Sequence, residues 1–100
     1  MKKLNPTDDA ALLASVELWQ YDGERSAISR SFKFADFANA FAFMTQVAIT
    51  ADKRDHHPEW FNVYNRVDIT LTTHDIHGLS QRDIDLARYC DDAYARFEAP

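Results

Sequence analysis

The sequence is poor in residues that break regular structure and in those that would tie a chain to polyanions or lipid. Only two glycines and three prolines occur in 100 residues, so neither a glycine-rich phosphate loop nor a disordered low-complexity tract fits. A single cysteine, Cys90, excludes an internal disulfide and makes a cytoplasmic location the default expectation. No Lys/Arg cluster exceeds "MKK" or the acid-flanked "DKRD", and the net charge is −5. Direct nucleic-acid binding needs a basic footprint and is not expected. The longest apolar runs, "AALLA" and "AFAFM", fall far short of the roughly 20 residues that span a bilayer, so no membrane partner is expected. The opening "MKKLNPTDD" turns polar at once, unlike a secretory signal.

What is present is the composition of one globular domain over residues 1–100, 46% hydrophobic and rich in aromatics, with seven Phe, four Tyr and two Trp. "PTDDAALLAS" predicts a short helix with Thr7 as N-cap. "VELWQYDGERSAISRSFKF" predicts a hairpin turning at Asp22-Gly23, with Ile28, Phe32 and Phe34 facing inward; Arg30 interrupts the alternation. From Ala35 to about Lys53 the period becomes helical. Phe37, Ala40, Phe41, Met44, Val47, Ala48 and Ala51 share one face, while Phe43 and Ile49 fall outside it, as residues for a subunit or partner contact would. "WFNVYN" and "RVDITLTTH" predict two strands, and "GLSQRDIDLARYCDDAYARF" a last helix with a capping-box-like Ser80-x-x-Asp83 start. The expected fold is α+β: a four-stranded antiparallel sheet with three helices packed on one face, in the order α-β-β-α-β-β-α.

The residues that could carry chemistry cluster between Asp52 and Asp83. His56-His57-Pro58 places two imidazoles at a helix C-terminus, because a residue before proline is held extended. Asp52 precedes His56 by four residues, the helical spacing at which side chains meet. His74 ends the last predicted strand, on its polar face by strict alternation. His77, beside Gly78, reads as a surface histidine outside the site. Asp83 falls inside the apolar arc of the last helix, made by Leu86, Ala87, Cys90, Ala93, Tyr94 and Phe97, so it either caps the helix or orients a histidine. No His-x-x-x-His or Cys-x-x-Cys pair is present, and a metal site is not expected. Cys90, mid-arc, reads as core rather than as a nucleophile.

The series Asp52-x-x-x-His56-His57-Pro58, five residues, Tyr64, nine residues, His74, eight residues, Asp83 resembles the signature of the pterin-4a-carbinolamine dehydratases. That family is also known as the dimerization cofactor of a homeodomain transcription factor. "HHPEWFNVYNRVDITLTTH" and "GLSQRDIDLA" carry the likeness almost continuously; the first thirty residues share it only through Trp19 and the Ile28–Phe34 strand. The resemblance implies dehydration of a 4a-hydroxytetrahydropterin to the quinonoid dihydropterin, without metal or organic cofactor, recycling the pterin of aromatic amino acid hydroxylases. By position, His56, His57 and His74 are implied as catalytic, without fixing which is acid and which base. Asp52, where many relatives carry the longer Glu, Asp83, Trp60 and Tyr64 are implied as substrate-binding. The same resemblance implies a homodimer or homotetramer. It leaves open a regulatory protein partner, or a dehydratase-like role in another pterin pathway.

Overall fold

A computed structural model of the chain describes residues 1–97; the last three residues of the expected 1–100 domain lie outside the described residues. The elements run α1 (Ala10–Ala14), β1 (Gln20–Asp22), β2 (Ala27–Lys33), α2 (Phe37–Lys53), β3 (Glu59–Val63), β4 (Arg66–Leu71), a 3-10 turn (His74–Ile76) and α3 (Gln81–Ala95). The expected α+β order is therefore found. The strands pair antiparallel in the order β1-β2-β4-β3. One sheet face, carrying Ile28, Phe32, Val67, Ile69 and Leu71, is buried beneath α2 and α3, and the short α1 adds the half-buried Leu12 and Leu13 to the same core.

Several local expectations are corrected. The first helix starts later, capped at the Asp9 position rather than Thr7. Asn5 winds the preceding turn instead, its Oδ1 accepting from the Thr7 N–H at 2.8 Å. The hairpin turn is four residues long, since Asp22 pairs with Ala27. Its left-handed residue is Ser26 (φ 50°) rather than Gly23, and Asp22 Oδ1 accepts from the Glu24 N–H at 3.0 Å. The break at Arg30 has a structural reason. Its guanidinium lies over the Phe32 ring at 4.5 Å and bonds Asp91 at 2.5 Å, so its charge is met on the core-facing side of β2.

The largest revision concerns α2. Its N-terminus is capped as chemistry favours, Asp36 Oδ1 accepting from the Asn39 N–H at 2.8 Å. The buried stripe is Ala40, Phe43, Val47 and Ala51. Phe43, expected outside, is 0% exposed and stacks at 5.0 Å from both Phe32 and Phe34, whereas Phe41, expected inside, is 56% exposed. Phe37 and Ile49 are exposed as well. The apolar arc read from the sequence exists, but the core takes only one edge of it.

The sheet register places the site. Glu59 pairs with Thr70, so the residues entering β3 and those leaving β4 emerge side by side at one end of the sheet. The C-terminus of α2 and the N-terminus of α3 reach the same end, joined by Arg82. Its Nη2 donates to the Arg54 carbonyl at 2.6 Å and to the Asp55 carbonyl at 2.9 Å. A last-turn carbonyl with no intrahelical partner is thereby satisfied across the helix–helix junction.

Candidate active site

The chain between α2 and β3 turns sharply because Asp55 adopts a left-handed conformation (φ 50°) just after the C-cap Arg54. This reversal separates the two adjacent imidazoles. His56 is turned inward and buried, its N–H bonding the Ala51 carbonyl at 3.0 Å; His57 stays exposed. The expected helical pairing of Asp52 with His56 therefore does not form. Asp52 Oδ1 instead meets His57 Nε2 at 3.2 Å, because the helix has ended before the fourth residue is reached.

His56 meets Asp83. Its Nε2 lies 2.6 Å from Asp83 Oδ1, and Asp83 is 0% exposed. The other carboxylate oxygen accepts from Thr73 Oγ1 at 2.8 Å and from the Ser80 N–H at 2.9 Å, completing the capping box at the start of α3. Thr73 Oγ1 lies 2.7 Å from Ser80 Oγ. Since Thr73 donates to the carboxylate, the Ser80 hydroxyl donates to Thr73, and the network is directional without conflict. A carboxylate can only accept, so the proton on Nε2 of His56 faces Asp83 and leaves Nδ1 as its exchangeable nitrogen. Thr73 joins no pattern that marks it in the sequence beyond closing the buried alternation of β4. It is one of the residues that sequence reasoning missed.

His74 is not at the end of a strand. β4 stops at Leu71, and an isolated bridge between Thr73 and Gly78 closes a short loop whose 3-10 turn carries His74. Leaving the strand frees the ring from strict alternation, and its Nε2 lies 3.0 Å from Glu59 Oε2 on β3. Arg25 donates to the same carboxylate oxygen at 2.8 Å. Arg25 first and His74 second pull the Glu59 carboxyl down to about 2. Its unfolded value is near 4.3, so the stability these contacts give is present above that pH and lost as pH falls towards 2.

These groups enclose a cavity of about 320 Å³, a volume suited to one small flat molecule. His56, His57 and His74 all line it, with Glu59, Thr72 and Arg82 among the others. Each of the three imidazoles turns Nε2 to a different carboxylate, those of Asp83, Asp52 and Glu59. Of the remaining expected residues, Trp60 is half-buried against the core and does not line the cavity. Tyr64 is displaced altogether: it sits in the β3–β4 turn at φ 49°, is 62% exposed, and lies at the far end of the strand. His77 is exposed and left-handed, outside the cavity as expected. Burial pushes the Cys90 thiol up to about 12, in keeping with a core residue. Among the described residues, no three His, Cys, Asp or Glu side chains are grouped so as to hold a metal ion, and no helix is long and apolar enough to cross a membrane.

A larger cavity, about 630 Å³, lies on the other side of His56 and Arg82 and is lined by Arg54, Arg88 and Tyr89. His57 and His74 do not reach it. Size alone would favour this cleft, which Asp85 and Asp92 also line, but three imidazoles converge on the smaller one.

Comparison with known proteins converges on one family. The family described as pterin 4 alpha carbinolamine dehydratase matches residues 2–93. A Burkholderia ambifaria protein, provisionally named a pterin-4-alpha-carbinolamine dehydratase, is 53% identical over 96% of this chain and 94% of its own. A Rhizorhabdus wittichii protein of the same provisional name is 58% identical over 87% and 90%. The crystal structure of a transcriptional coactivator/pterin dehydratase from Brucella melitensis superposes with a TM-score of 0.88 at 47% identity, covering 93% of this chain and 99% of that one. A pterin dehydratase-like protein identified as a RuBisCO assembly factor in the alpha-carboxysome shares the fold, with a TM-score of 0.67 at 21% identity over 76% and 88%.

The buried network makes a quantitative prediction. Asp83→Ala should lower the unfolding free energy by about 3–5 kcal/mol in urea titration, because it strips buried polar groups of their partner. Asp52→Ala, at an exposed ion pair, should change it by less than about 1 kcal/mol. Equal effects would contradict the assignment of Asp83 as the structural anchor.

Proposed function

The chain belongs to the pterin 4 alpha carbinolamine dehydratase family, and on that premise we propose that it converts a 4a-hydroxytetrahydropterin to the quinonoid dihydropterin. In this reaction the bond from carbon 4a to the hydroxyl oxygen breaks, and the oxygen leaves as water after receiving a proton. The adjacent ring nitrogen gives up its proton, and its electron pair forms the new double bond to carbon 4a. One proton is delivered and one removed, so the step is redox-neutral and calls for no metal or organic cofactor.

The observation that carries this reading is the convergence of His56, His57 and His74 on one cavity, each with Nε2 engaged by a carboxylate. Nδ1 is then the nitrogen each ring offers to a bound heterocycle. An imidazole on either side of a flat ring suits paired proton donation and removal near neutral pH. His57 and His74, the exposed members, are the proposed proton-transfer groups. His56, buried and pinned to Asp83, forms a fixed wall of the cavity. Arg82 holds the chain segment that presents the pair. A cytoplasmic setting and a role in recycling hydroxylase pterins belong to the same reading.

The exposed apolar side chains Phe37, Phe41 and Ile49 on α2 favour self-association into a homodimer or homotetramer. Phe43, first expected to serve that contact, is in the core instead. A regulatory protein partner on this surface is the alternative, supported by the name of the Brucella relative. Light scattering should give two or four times the 11.5 kDa chain mass, reduced by Phe41→Asp; a monomeric wild type would overturn self-association.

The activity is tested by following ultraviolet absorbance as chemically generated 4a-hydroxytetrahydropterin loses water. The wild type should accelerate dehydration over buffer. His57→Ala or His74→Ala should reduce the catalysed rate at least about tenfold, within the range of general acid–base catalysis, while the fold is kept because both rings are exposed. Wild-type rates equal to buffer would overturn the enzymatic reading and leave the regulatory module.

A further inference from the structure

The two solvent-exposed catalytic candidates are held very differently, and the difference points to a second set of residues. His57 leans on Asp52, a carboxylate that is itself almost fully exposed. His74 leans on Glu59, which is half-buried and anchored in turn by Arg25, whose nearest strand neighbours belong to the other end of the sheet order. Arg25 lies in the β1–β2 loop, 34 residues from Glu59, and its Nη2 donates to Oε2, the same carboxylate oxygen that the imidazole meets. A surface ion pair on its own is worth little. A carboxylate oxygen held by a guanidinium and shared with an imidazole does more: it restricts the ring's orientation and the site of its proton.

We propose that Arg25 and Glu59 are positioning residues for the reaction: Arg25 fixes Glu59, and Glu59 fixes the His74 ring with its proton on Nε2, leaving Nδ1 to exchange with substrate. The inference rests on the preceding reading of His74 as a proton-transfer group. Without the arm, His74 is an exposed side chain on a short 3-10 turn, free to rotate and to place its proton on either nitrogen. With it, an imidazolium formed when Nδ1 takes a proton is countered at once by the carboxylate on the opposite nitrogen. Glu59 is held ionised, down to about 2, by Arg25 first and His74 second, so the device operates throughout the range in which imidazoles exchange protons. The other titratable or charged groups sharing the cavities that His74 lines are Glu24 on the Arg25 loop, Asp75 and His77 on its own loop, and Asp55, His56, His57 and Arg82 across the cavity; none of them bonds its ring.

The test combines kinetics with nitrogen-15 NMR of the histidine rings, which reads the nitrogen that carries the proton. In the wild type, His74 should be held in the Nε2–H form. Glu59→Ala should move it towards the mixture of a free imidazole and lower kcat about tenfold with KM little changed, as loss of an orienting partner does elsewhere. Arg25→Gln should give a smaller loss in the same direction, and Arg25→Lys should restore most of it. The His56 ring, held by Asp83, serves as the internal control and should be unmoved in every variant. A Glu59→Ala protein with wild-type kcat and an unchanged His74 ring would overturn the proposal. If the wild type itself has no dehydratase activity, the functional reading fails, while the ring spectra still decide whether Glu59 positions His74.

Discussion

A carboxylate with no solvent exposure must have its lone pairs occupied by donors, and Asp83 meets this demand by drawing three separate chain segments together. His56 comes from the end of α2, Thr73 from the loop after β4, and Ser80 from the start of α3. Each is drawn to the same two oxygens, so the junction between helices and sheet end has one arrangement that leaves no buried acceptor unmet. The histidine cavity is the outer surface of this junction. His56 forms its inner wall, and His57 and His74 reach its rim as the residues immediately following the anchor points His56 and Thr73.

The sheet supplies the second constraint. Antiparallel pairing of β3 with β4 returns the chain to the end at which it entered, so a histidine pair before β3 and a histidine after β4 are brought together whatever the loop details. The aromatic cluster of Phe32, Phe34, Phe43 and Tyr94 lies towards the other end of the sheet, where Phe32 pairs with Val67, and fixes α2 and α3 on it. Core packing thus sets where the helix ends are, and the Asp83 network sets how the side chains at those ends point. The resulting site separates one rigid imidazole from two accessible ones, a division suited to holding a flat ring while protons pass on either side of it.

Much of this was legible in the sequence, for identifiable reasons. Periodicities of 2.0 and 3.6 gave the element order, and Asp83 stood out as a carboxylate in an apolar arc, with both its capping and its histidine-orienting roles among the readings. What escaped was geometry that depends on partners distant in sequence. A helix with an apolar arc wider than its contact surface does not declare which edge faces the sheet, so Phe43 and Phe41 were exchanged. The left-handed Asp55 broke the helical spacing that would have joined Asp52 to His56. Tyr64, placed by family position, lies at the opposite end of β3 from the cavity. Arg25, Glu59 and Thr73 belong to no short-range pattern, and their roles appear only when the loops are folded against one another.

The central claim is that one flat heterocycle binds among three imidazoles held by their Nε2 atoms. The most direct measurement is an experimental structure of the protein with an unreactive dihydropterin bound. The ring is expected in the smaller cavity, within hydrogen-bonding reach of Nδ1 of His57 or His74, with the His56–Asp83 contact kept. A pterin bound instead in the arginine-lined cleft behind His56, or a His74 ring turned away from it, would contradict the account.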